Sequence, residues 1–97
     1  MKLVWSRLSM KDRDAIFTYL EELNPTAAAK MDERIAMAAR RLVKFPQSGR
    51  PGRIAGTREL VVTGTPYLAA YVIIADRVRI LRVLHGAQTW PDGIDPG

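Results

Sequence analysis

The run Tyr67-Leu68-Ala69-Ala70-Tyr71-Val72-Ile73-Ile74-Ala75, broken by Asp76-Arg77 and resumed as Val78-Arg79-Ile80-Leu81-Arg82-Val83-Leu84-His85, decides the fold. Two stretches rich in β-branched and aromatic residues flank a short polar break, which is the pattern of two strands joined by a tight turn. So brief a connection forces the strands to lie antiparallel. Upstream, Thr57-Arg58-Glu59-Leu60-Val61-Val62-Thr63 reads as another strand, and Gly64-Thr65-Pro66 turns the chain into the long apolar run. The result is a three-strand antiparallel meander. Alternation along the last strand sets Val78, Ile80, Arg82 and Leu84 on one side and Arg79, Leu81, Val83 and His85 on the other. Both sides carry apolar residues, so both faces of the sheet are expected to be at least partly covered.

Ahead of the meander the period changes. Ile16, Leu20 and Leu23 recur at helical spacing, with Ala15 and Tyr19 at the edge of the stripe, and Ser9 with Asp12 predicts the start of that helix as a capping box in acidic form. Asn24-Pro25 stops one helix and starts the next, because Asn caps well and Pro fits the first helical position. Ala28, Met31, Ile35, Ala38 and Leu42 then follow at steps of three and four, a narrow apolar seam on a second helix ended by Phe45-Pro46. Helices joined so tightly form an antiparallel hairpin. Lys2 to Ser6 reads as a short strand with Leu3 and Trp5 on one face and Val4 on the other. Residues 46–56, with Gly49, Gly52, Gly56, Pro46 and Pro51, read as a loop without regular structure that carries Arg50 and Arg53, and residues 86–97 as an irregular tail. The expected fold is α+β over residues 1–97 as one domain: an N-terminal strand, an antiparallel helix hairpin and a three-strand antiparallel meander, with the helices on one face of the sheet.

The charge is unevenly placed. Of the net +5, the first 39 residues contribute nothing, since Lys2, Arg7, Lys11, Arg13, Lys30 and Arg34 balance Asp12, Asp14, Glu21, Glu22, Asp32 and Glu33. Residues 40–85 hold Arg40, Arg41, Lys44, Arg50, Arg53, Arg58, Arg77, Arg79 and Arg82 against Glu59 and Asp76. Arginine suits phosphate and carboxylate recognition because its planar fork donates two hydrogen bonds together. A basic half of this kind fits a polyanionic partner, either nucleic acid or an acidic protein segment; a solvated basic surface without a partner is the alternative. Cysteine is absent, which excludes disulfides and thiolate metal sites and fits a reducing cytoplasm. No signal peptide and no membrane span are expected, since the N-terminus has no long apolar run and no stretch nears about 18 apolar residues.

Arg82 falls among apolar neighbours, and a buried guanidinium needs a partner. Glu59 on the neighbouring strand is the structural candidate; an RNA phosphate or a partner's carboxylate is the functional one. His85 is the sole histidine, and the one side chain whose ordinary pKa lies near neutrality, so conventional acid–base chemistry would fall to it; the alternative is a hydrogen-bonded structural residue. With no second His and no Cys, no metal site and no cofactor are expected. The phosphate-loop, dinucleotide and nucleophile-elbow patterns are all missing. Gly49-Arg50-Pro51-Gly52-Arg53 follows a helix and lacks the lysine of a phosphate loop, so it reads as a mobile basic loop. Tyr67 and Tyr71 either stack on bases or pack together on one sheet face, being four apart on a strand. Trp90 either pins the tail to the body or belongs to a partner surface.

The strings Asn24-Pro25-Thr26-Ala27-Ala28, Phe45-Pro46-Gln47-Ser48-Gly49-Arg50 with Pro51-Gly52, Gly56-Thr57-Arg58-Glu59-Leu60-Val61-Val62, Pro66-Tyr67 with Tyr71, and Ile80-Leu81-Arg82-Val83-Leu84-His85-Gly86-Ala87-Gln88 stand in an order and spacing that resemble the RelE/ParE superfamily of type II toxins over nearly the full length. The resemblance implies a cytoplasmic growth-inhibiting toxin in a hetero-oligomer with a small antitoxin, whose C-terminal segment wraps the toxin. RelE-like members cleave mRNA in the ribosome, whereas ParE-like members poison DNA gyrase without an established catalytic constellation. RelE-like members usually carry a basic residue just after the Tyr of the middle meander strand. Here Leu68-Ala69-Ala70 stands there, and the Leu84-His85 ending looks more like ParE, so the resemblance leans towards a gyrase poison. If the chain is instead a ribonuclease, it implies His85 as general acid or base, Arg58 and Arg82 as stabilisers of the phosphorane-like charge, and no metal. Arg50, Arg53, Arg79, Tyr67 and Trp90 are the expected nucleic-acid or partner contacts. A non-toxic nucleic-acid-binding module is the remaining reading, although no recognised RNA- or DNA-binding motif is present.

Overall fold

The computed structural model describes residues 1–87. Its elements are β1 (Lys2–Trp5), α1 (Arg7–Leu23), α2 (Pro25–Arg41), β2 (Arg50–Pro51), β3 (Arg58–Val61), β4 (Tyr67–Ile74) and β5 (Arg77–His85). The five strands form one sheet in the order β1-β5-β4-β3-β2. The meander β3-β4-β5 is antiparallel, as its short turns require. β1 lies parallel to β5, with Lys2 opposite Arg77 and Trp5 opposite Ile80, so the first and last strands are neighbours.

The helix hairpin forms where Asn24-Pro25 predicts it. The Asn24 side chain accepts from the Ala27 N–H at 3.1 Å and Pro25 begins α2. The start of α1 lies earlier than the Ser9/Asp12 reading places it. Ser6 is the cap: its Oγ accepts from the Ser9 N–H at 3.0 Å, and the Ser9 hydroxyl donates back to the Ser6 carbonyl at 2.8 Å. Asp12 therefore has no capping duty. α2 ends at Arg41, with Leu42 as its buried C-cap, so its seam closes one residue beyond the helix.

Ile35, Ala39 and Leu42 pack against Val62, Ala69, Tyr71, Val78, Ile80 and Val83 to form the core between helices and sheet. Leu68, Ala70, Val72, Leu81 and Leu84 are also buried but stand outside that cluster. Both sheet faces are thus covered.

Three local expectations differ. Residues 46–56 are not wholly irregular: Arg50 and Pro51 form β2 against Glu59 and Arg58, where an edge position tolerates the proline. The tight turn is centred on Ala75 and Asp76, because Ile74 pairs with Arg77, and Ala75 adopts a left-handed φ of 53°. Strict alternation also fails along β5. Ala70 pairs with Arg82 while Tyr71 pairs with Ile80, which leaves one extra residue, Leu81, on β5. This bulge reverses the phase of the strand, so that Val83, not Leu84, joins Val78 and Ile80 in the core.

Candidate functional site

Glu59 organises the basic loop. It is 3% exposed, and its carboxylate accepts from the Arg50 guanidinium at 3.1 Å, from the Arg53 main-chain N–H at 2.9 Å and from the Arg53 side chain at 3.2 Å. Burial alone would raise its pKa, but these donors, the Arg53 backbone foremost, outweigh it and hold the carboxyl below its ordinary value. Arg50 and Arg53 are therefore presented on a pinned loop, with outward faces that remain accessible to an anion.

Arg58 and Tyr71 secure the start of the same loop. Arg58 donates to the carbonyls of Gly49 at 2.7 Å and Gln47 at 3.3 Å. The buried Tyr71 hydroxyl donates to the Pro46 carbonyl at 2.7 Å and accepts from the Gly49 N–H at 2.9 Å. Burial pushes its pKa up.

At the opposite end of β4, Tyr67 meets His85 edge-to-face, with ring centroids 5.8 Å apart. Tyr67 and Tyr71 lie on the helix-facing side, Tyr71 within the core and Tyr67 packed against it. The His85 Nδ1 accepts from the Ala87 N–H at 3.2 Å, which leaves the neutral ring with its proton on Nε2.

Arg82 is held by Asp12, not by Glu59. Its Nε and Nη2 donate to the two Asp12 oxygens at 2.8 and 2.9 Å. The sequence offers no local sign of this pair, because its members stand 70 residues apart. Arg79 is exposed on β5, paired with Val72 and Val4. Trp90 lies outside the described residues.

His85, Arg82 and Arg58 are not brought to a common point. His85 sits opposite Tyr67 and Arg58 opposite Tyr71 on the other side of β4, about 13 Å apart along the strand direction. The bulge and Asp12 hold Arg82 separately.

One surface was not anticipated. Arg34, Met37, Ala38 and Arg41 of α2 face Leu60, Val61, Val62 and Thr63 across an open groove of about 310 Å³. Met37 and Arg41 also line an adjoining hollow with Arg40, Val43, Lys44 and Phe45. The basic residues were legible in the charge distribution; Met37, off the apolar seam, was the unused signal.

The ParE toxin family of type II toxin–antitoxin systems (parDE) matches residues 3–90. The chain is 43% identical over 90 residues to a putative toxin, Y4kP, of Sinorhizobium fredii, covering 93% of each sequence. It is 36% identical over 87 residues to toxin RelE2 of Caulobacter vibrioides, covering 90% of this chain and 97% of that one. A chain in the solved chromosomal ParDE system of P. aeruginosa superposes with a TM-score of 0.81 at 30% identity, covering 88% of this chain and 95% of that one. The match of the family over residues 3–90, with relatives and a solved neighbour covered over nearly their whole length, makes this chain a member of the ParE toxin family of type II toxin–antitoxin systems, with an antitoxin as its partner.

Proposed function

We propose that residues 1–97 act as one cytoplasmic toxin domain that arrests growth by poisoning DNA gyrase through surface contacts, and that the C-terminal segment of its antitoxin wraps it in a hetero-oligomer. The observation that carries the gyrase reading is the dispersal of the three side chains a ribonuclease would use. Arg82 is taken up by Asp12, Arg58 by loop carbonyls, and the His85 Nδ1 by the Ala87 N–H. A general base must offer a lone pair to the attacking hydroxyl, and charge stabilisers must converge within hydrogen-bond reach of one phosphate. These three residues meet neither condition together. In this reading Arg50, Arg53 and Arg79 are contact residues on an accessible basic surface, with Tyr67 and Trp90 as further contacts.

The second reading is a metal-independent, RelE-like ribonuclease acting on ribosome-bound mRNA. It is favoured by the Tyr67–His85 pair at the sheet end and by the likeness to RelE2. Two parallel assays separate the readings: gyrase supercoiling and DNA cleavage, and mRNA cleavage on programmed ribosomes. Trapped gyrase–DNA complexes with intact message are expected. Cleaved message with unaffected gyrase would replace this reading with the second.

A further inference from the structure

We propose that the sheet face turned away from the helices binds the phosphate backbone of double-stranded DNA, through Lys2, Arg77 and Arg79 at one end and Arg50 and Arg53 at the other. The proposal rests on the gyrase reading only for its choice of DNA over RNA.

Strand register brings these cations to one face. Leu3, Trp5, Tyr71, Ile73, Val78 and Ile80 pack towards the helices, so their neighbours along each strand point the other way. Lys2 lies opposite Arg77, and Arg77 opposite Ile74. Val4 lies opposite Arg79, and Arg79 opposite Val72. Two residues back along β4, Ala70 pairs with Glu59, and Glu59 with Arg50. The Glu59 carboxylate draws the Arg53 side chain to the same place. Four strand spacings separate β1 from β2, about 19 Å, and the step from Ile74 to Ala70 adds about 13 Å along the strands. The cations therefore form a diagonal band about 23 Å long.

Their charge remains available. The Arg50, Arg53 and Arg77 side chains are 58%, 40% and 48% exposed with their ion pairs in place. Lys2 and Arg79 are exposed and, among the described residues, have no carboxylate partner. Glu59, which is buried, and Asp76 oppose the five cations. Arg82 pairs with Ala70 across the bulge but is neutralised by Asp12 and adds nothing. Duplex DNA carries one charge per about 1.7 Å of its axis, so a band of this length runs beside more phosphates than it has cations.

The rest of the face selects a duplex. Single strands are held by aromatic side chains that stack on bases. Here Trp5, Tyr67 and Tyr71 all lie on the helix side, and among the described strand residues the outer face has no aromatic side chain. Nor does it carry Asn or Gln, which read adenine in the major groove. Phosphate contacts of this kind position a duplex without reading its sequence.

The test titrates a labelled DNA duplex of about 20 base pairs with the purified full chain and follows anisotropy over a range of salt concentrations. With four or five phosphates contacted, log K is expected to fall against log salt with a slope of about −4. Arg77→Ala/Arg79→Ala, with an unchanged melting temperature, is expected to bind at least about tenfold more weakly, with a slope shallower by about 2. Lys11→Ala/Lys30→Ala on the helices removes the same net charge and is expected to bind as the parent does. Absence of binding at low salt, or equal weakening in both double variants, would overturn the proposal. So would equal or tighter binding of the single strand, of duplex RNA or of polyglutamate. Gyrase is absent from this measurement. Duplex binding by a chain that leaves gyrase untouched would remove the gyrase reading and keep the site, whereas a gyrase poison that binds no DNA would remove the site alone.

Discussion

Asp12 and Arg82 close the sheet against the first helix. The carboxylate accepts two hydrogen bonds from the guanidinium, and its Oδ2 also accepts the Val83 N–H at 2.9 Å. β1 stops at Trp5, so β5 continues without that neighbour. Ser6 takes over there, with its N–H donating to the Ile80 carbonyl and its hydroxyl to the Leu81 carbonyl at 2.7 Å. Asp12 completes the series at Val83 and raises the Arg82 pKa. Both side chains are about 15% exposed, so removing one partner strands the other. Asp12→Ala is expected to cost about 2–3 kcal/mol, below the range for fully buried pairs. Arg82→Met should cost less, because Asp12 keeps the Val83 N–H. Urea unfolding of both variants measures the order; equal losses would contradict it.

The Glu59 carboxylate links loop stability to pH. Its folded pKa lies below the ordinary 4.5, so its stabilisation is full above that value and fades as pH falls through the lowered one. Glu59→Gln is expected to cost about 1–2 kcal/mol at neutral pH, in line with hydrogen bonds to a charged group. The gap between parent and variant should narrow in acid, where the parent's carboxyl is itself neutral. Thermal melts across pH 3 to 7 would show a constant gap if Glu59 did not carry the effect.

Gly49 is required by its neighbours. A Cβ there would lie 2.6 Å from the Tyr71 hydroxyl, 2.7 Å from its ring and 2.9 Å from the Glu59 carbonyl. Tyr71 is fully buried and has nowhere to move. Gly49→Ala is expected to cost about 2 kcal/mol or more, as overpacking does. In a Tyr71→Phe background the cost should shrink, because the nearest atom is gone; a double-mutant cycle reads that coupling.

His85 separates chemistry from contact. With catalysis set aside, His85→Ala is expected to leave growth arrest within about threefold of the parent, where loss of a general acid or base would remove about 100-fold or more. Dose-dependent growth curves, with protein levels matched, give the comparison. Collapse of arrest in a folded His85→Ala protein would restore the ribonuclease reading.

The parts of this fold that rest on local physics were legible. Asn24-Pro25 caps one helix as it ends another, and no distant residue is needed for that. The meander follows from β-branched runs separated by turns too short for any crossover. The strings that resemble the RelE/ParE toxins likewise lie along the chain in order, and the family match bears them out.

What sequence could not supply depends on contacts between distant segments. The parallel pairing of β1 with β5 joins the two ends of the described chain, and no local pattern states it. The Leu81 bulge reverses the phase of β5, because a strand's register is fixed by packing of its partners and not by its own alternation. Asp12 looked like part of a helix cap and is instead the partner of Arg82, while Glu59, one of the candidate partners for Arg82, holds Arg50 and Arg53. Sequence alone determined the two helices, the first strand, the meander, their order and the family, but not β2. Only the tertiary structure decided which charges neutralise one another and which stay open to a partner, because ion pairing and exposure depend on distances that the chain's periodicity does not encode.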